Sequence, residues 1–99
     1  AASRPLLFIS MAIVPAITEE FFSRGILQEV LHRHLPQHHR LPLLLTAGIF
    51  ALFHGTLVGF PSRMLLGMML GYLAKDSRSL RLPILFHLLN NTLALLSIL

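Results

Sequence analysis

With 99 residues, 55% hydrophobic and only 12% charged, the chain is too apolar for a soluble domain of its length, so lipid is the expected solvent for most of its surface. The absence of cysteine excludes a disulfide framework, a zinc–thiolate centre and a thiol nucleophile. A net charge of +4 does not point to nucleic acid, because the basic residues are scattered, aromatics are few and apolar runs dominate.

The chain opens on Ala1 and enters an apolar run with no charged leader, which reads as a piece of a longer protein. The apolar period from Leu6 through Leu31 predicts a first helix over 5–31, with Pro5 in its first turn and a kink at Pro15 that frees a carbonyl near Thr18, Glu19 and Glu20. Residues 32–40, with four histidines, two arginines and Pro36, have no apolar period and predict an interfacial loop. A second span follows over 41–60, about the length a bilayer core of roughly 30 Å demands. Pro61 and Ser62 predict a turn and an N-cap for a third helix, 62–74, in which Gly67 and Gly71 allow close helix contact. After a polar loop over 75–81, a fourth span covers 82–99 with Pro83 in its first turn. The expected fold is an all-α, polytopic transmembrane bundle, about four helices of a larger one, with residues 1–99 forming a single domain core. Arg33, Arg40, Lys75, Arg78 and Arg81 share one side against Arg63 on the other, which predicts cytoplasmic loops at 32–40 and 75–81.

Ionisable groups inside a membrane cost roughly 2.5–3.5 kcal/mol each on insertion scales, so each needs a partner or a function. Glu20 and Arg24 are one helical turn apart and can neutralise each other, which assigns proton chemistry to Glu19, about 100° away around the helix. His87 and Asn91 share the same spacing and present an imidazole and a carboxamide in one direction, a donor pair suited to a developing oxyanion. At 1.5 Å per residue from the shared loop side, Glu19 and His54 lie roughly 18 Å deep, His87 roughly 7 Å and Asn91 roughly 13 Å, so all four can border one cavity. Taken singly, each has a blander reading: Glu20 with Arg24 as a structural ion pair, His54 as a proton relay, Asn91 as interhelical glue, the loop histidines as a solvated face. Together they form a hydrolytic set of base, helper and oxyanion donors.

Three ordered motifs resemble the CPBP (Abi) intramembrane proteases, which include the CAAX prenyl endopeptidases: Glu19-Glu20-Phe21-Phe22-Ser23-Arg24 fits EExxxR, Phe50 to His54 fits FxxxH, and His87 to Asn91 fits HxxxN. The resemblance covers about residues 15–96. It implies an endopeptidase in which Glu19 activates water, His54 partners it on that water, His87 and Asn91 stabilise the oxyanion, and Glu20 and Arg24 support the arrangement. It also implies a peptide or protein substrate, with a prenylated C-terminus as one option, the lipid bilayer as surroundings, no nucleic acid and a metal-free mechanism. No HExxH zinc motif is present, although Glu19, His54 and His87 are a residue set that can hold Zn2+. The competing readings are a metal- or proton-handling transporter component, and a non-catalytic peptide-binding or bacteriocin-immunity relative.

Overall fold

The computed structural model describes residues 3–53 and 57–98, and the ordered elements within them are helices: α1 (Arg4–His34), α2 (Leu41–Phe53), α3 (Phe60–Ser77) and α4 (Arg81–Ile98). Ser3 caps α1 by accepting the Leu6 N–H at 3.2 Å, with Pro5 in the first turn where its missing donor costs nothing. The helix runs past the expected end at Leu31 to His34, because a basic last turn suits the negative end of the helix dipole. Leu35 leaves helical geometry (φ −125°, ψ 56°), as a residue before proline tends to.

Pro15 does not break α1. The turn ahead of it widens, with the Val14 N–H bonded five residues back to Ile9 O, and a second wide turn ends with the Gln28 N–H on Ser23 O. These turns decide which residues of α1 face inward. In an unbroken α-helix each four-residue step overshoots a full turn by about 40°. The buried residues Ala12, Ala16, Glu20, Arg24 and Gln28 are spaced by four throughout, and the wider turns rotate less per residue, keeping that stripe on one face.

The second span is shorter than the predicted 41–60. Its helix is described to Phe53, Leu57–Gly59 form a turn closed by the Phe60 N–H on Leu57 O, and His54 lies outside the described residues. The third helix is longer than the predicted 62–74. Gly59 is its N-cap and Pro61 sits in the first turn, so Ser62 is inside the helix and its hydroxyl donates back to Gly59 O at 3.1 Å.

Helices α2 and α3 pack as an antiparallel pair at small residues. A Cβ added to Gly67 would lie 3.1 Å from the Ala47 backbone, and one added to Gly71 would lie 2.6 Å from Gln28 Oε1 and 2.8 Å from Leu43 Cδ2. Gly71→Ala is therefore expected to cost about 1–3 kcal/mol of stability through overpacking. Gly48→Ala, which meets nothing within 4 Å, should instead gain about 0.5–1 kcal/mol from helix propensity. Thermal unfolding of both variants in one detergent checks the contrast; equal shifts would show that the α2–α3 contact is not tight.

Helix α4 runs antiparallel to α1 in a register that differs from a common loop level. Leu80 lies against Gly25, since a Cβ there would sit 3.3 Å from Leu80 Cδ1. Helix α1 thus continues roughly 13 Å beyond the start of α4. Counted from this contact, Glu19 is six residues along α1 and His87 seven along α4, about 9 and 10 Å, so the two are level. Depths counted from the loops miss this because the loops do not end at one height.

The polarity of the bundle is inverted relative to a water-soluble one. Glu20 (0% exposed), Arg24 (4%), Gln28 (3%) and His87 (2%) are interior, while Phe21, Phe22, Leu85, Leu89, Leu93 and Leu96 face outward. Water would penalise such an exterior, and hydrocarbon does not. Among the described residues, Arg4–His34 and Arg81–Ile98 are long and apolar enough to cross a membrane, with mean hydropathies of 1.6 and 1.2.

Candidate active site

Where α1, α2 and α4 meet, a row of charged side chains is packed with few gaps. Glu20 Oε2 accepts from Arg24 Nη1 at 2.8 Å and from His87 Nδ1 at 2.6 Å, and all three side chains are almost fully enclosed. The Arg24 pair follows from helix geometry, one turn along α1. The His87 contact depends on the α1–α4 register. Because Glu20 is held by Arg24 as a carboxylate, an acceptor only, the proton between it and His87 belongs to Nδ1, which fixes the ring's tautomer and orientation. The far ring nitrogen, Nε2, then points toward Glu19, 3.6 Å from Oε1. One imidazole thus stands between the two adjacent carboxylates.

The carboxylates differ in access. The Glu20 side chain is wholly buried, whereas that of Glu19 is 36% exposed. Glu19 borders an open cleft of about 520 Å³ together with Thr18, Phe22, Phe50 and Phe53.

Two further contacts hold the row in place. The Phe50 ring lies 4.9 Å below the Arg24 guanidinium carbon and meets His87 edge-on, with centroids 5.7 Å apart at 74°. Arg24 Nη2 donates to Gly67 O at 2.7 Å and Gln28 Nε2 donates to Gly71 O at 3.0 Å. These two bonds, one turn apart on both helices, clamp α1 to α3. The glycines make them possible, since a Cβ at Gly71 would occupy the space of the Gln28 amide.

Of the residues singled out in the sequence, Glu19, Glu20, Arg24 and His87 come together. Asn91 stands one turn along α4 and donates Nδ2–H to Ala12 O at 3.3 Å, tying α4 to the α1 segment before Pro15, and Asn90 is exposed. His54 lies outside the described residues. Sequence reasoning assigned no role to Gln28, to the Gly67 and Gly71 carbonyls or to the Phe50 ring. The four-residue repeat 20, 24, 28 was the available signal for Gln28. Among the described residues no group of three His, Asp or Glu side chains is arranged to hold a metal ion; within the set Glu19, His54 and His87, the structure brings the first and last together.

Apolar helices facing outward around an enclosed carboxylate–imidazole–guanidinium row define a membrane-type helical protein with a polar site inside it. The model of the Rce1-like family, type II CAAX prenyl endopeptidase Rce1-like, matches residues 1–93. The chain belongs to this family, whose members are membrane-embedded proteases. No curated protein and no solved structure matches the chain.

Proposed function

We propose that the chain is the core of a polytopic intramembrane endopeptidase in which Glu19 activates a water for attack on a peptide bond. The observation that carries this reading is the division of labour between adjacent carboxylates: Glu20 is sealed against Arg24 and His87, while Glu19 opens to the cleft. Glu19 takes a proton from water, the resulting hydroxide adds to the scissile carbonyl, and the same proton passes to the departing amine. His87, held by Glu20, presents Nε2 to the water bound at Glu19; when that nitrogen also carries a proton, it becomes a donor to the oxyanion. Asn91 keeps one amide hydrogen beyond its Ala12 contact, and His54 serves as the second group on the water, as the family motif implies.

The family supports a CAAX-type substrate, a peptide or protein whose C-terminal residues are removed, and the apolar sides of the cleft suit a prenylated cysteine. The basic residues at 32–40 and 75–81 support placing those loops in the cytoplasm. The direct test is release of the C-terminal tripeptide from a farnesylated peptide by the protein in detergent, with the unprenylated peptide alongside. Cleavage of the farnesylated peptide alone is expected. Ion flux through reconstituted vesicles without cleavage would favour the transporter reading.

The mechanism is proposed as metal-free. The sequence carries no HExxH zinc motif, which supports this reading. Protein purified without added zinc is expected to hold well under one equivalent by elemental analysis and to keep its activity in chelator. Stoichiometric zinc that is lost in His54→Ala would reverse this assignment.

A further inference from the structure

Because α1 continues past the start of α4, its last turns overhang the α3–α4 turn, and a cavity of about 590 Å³ opens beneath them. Its α1 wall carries Arg24, Gln28 and His32, spaced by four, and its opposite rim carries Lys75 and Arg78. Arg24, Gln28 and His32 give that wall its polar character, with the Gln28 amide anchored on Gly71 O. A cavity of this size with polar and basic walls suits a polar occupant.

The rim determines the sign of that occupant. Lys75 Nζ spends one hydrogen on His39 O at 2.9 Å, which ties the last turn of α3 to the loop after α1 and leaves two to donate. Arg78 makes no hydrogen bond or ion pair among the described residues, and its backbone is left-handed at φ 52°, ψ 35°. Glycine or asparagine ordinarily ends a helix in that conformation, so an arginine there is strained, and strain of this kind is retained where the side chain has a task. The acid in the lining, Glu29, lies 3.8 Å from Arg33.

We propose that this cavity binds a phosphate group, carried by an anionic lipid or supplied as the free ion. Lys75 and Arg78 neutralise the charge and donate to the phosphate oxygens, with Arg24, Gln28 and His32 forming the polar α1 wall beside them. Exposed Ile26 and Val30 beside the cavity offer acyl chains an apolar surface. Basic pockets between helices at a charged membrane face are a recurring way to hold anionic headgroups. Since Arg24 also holds Glu20, occupancy of this cavity reaches the carboxylate row through a single guanidinium.

The test measures binding, so it stands apart from any assay of peptide cleavage. Thermal unfolding of the full chain in neutral detergent is followed with dioleoylphosphatidylglycerol, dioleoylphosphatidylcholine or inorganic phosphate added. Phosphatidylglycerol is expected to raise Tm by at least about 4 °C and phosphatidylcholine to leave it unchanged. The same rise with inorganic phosphate would identify the free ion as sufficient. Lys75→Gln and Arg78→Gly should abolish the shift, while Arg81→Gln, an exposed arginine on the same side outside the cavity lining, should keep it. Glycine is at ease at φ 52°, so R78G is expected to fold at least as well as the parent, separating a lost ligand from a lost fold. The proposal is overturned if neither phosphate source shifts Tm, if R78G and K75Q keep the full shift, or if R81Q loses it equally.

Discussion

Glu19→Gln is expected to lower turnover roughly 10²- to 10⁴-fold, the range a general base contributes, while leaving the folded protein as stable as the parent. Gln retains the size and one acceptor oxygen but cannot take a proton from water. Glu19 is 36% exposed at the cleft, so its replacement leaves no enclosed charge unmatched. Glu20→Gln should behave differently. Glu20 holds both Arg24 and His87, so the change weakens the fold and lets the imidazole turn, with a smaller loss of turnover in the protein that remains folded. Single-turnover cleavage of a farnesylated peptide, read beside the thermal midpoint of each variant, separates the two effects. An active, folded Glu19→Gln with a folded but dead Glu20→Gln would assign the base to the other carboxylate.

The same pair shows what was legible before the structure. Glu20 and Arg24 meet because they are one turn apart on one helix, and local spacing alone predicts that. The helices at 4–34 and 81–98 were legible to within a few residues because length and apolarity against a bilayer leave few alternatives. The role of His87 was only half legible. Its inward position follows from the cost of an imidazole in lipid, yet its choice of Glu20 through Nδ1 depends on α4 starting level with Gly25 instead of with the end of α1. No residue of the 75–81 loop announces that register. Gln28 was overlooked for a related reason. In an ideal α-helix it would have drifted away from the face of Glu20, and only the widened turns in α1 return it to Gly71.

Breaking the Arg24–Glu20 pair from the arginine side should have the largest effect on stability. Arg24→Met leaves the Glu20 carboxylate enclosed with His87 as its remaining partner and Oε1 still unmatched, while also removing the bond to Gly67 O. Removing one member of a buried ion pair costs about 3–5 kcal/mol, because the partner's charge stays behind in a medium that solvates it poorly. The Phe50 ring would also lose the cation above it, worth about 0.5–2 kcal/mol. Glu20→Leu alone should cost a similar amount by stranding the guanidinium. The double variant removes both charges and replaces them with side chains of comparable bulk, so it should cost clearly less than the sum of the two single changes. The expected signature is a coupling of about 1–3 kcal/mol between the two positions, measured by reversible denaturation of all four proteins in the same detergent. Costs that add to within about 0.5 kcal/mol would mean the guanidinium and carboxylate contribute independently, and that Arg24 is held chiefly by Gly67 and Phe50.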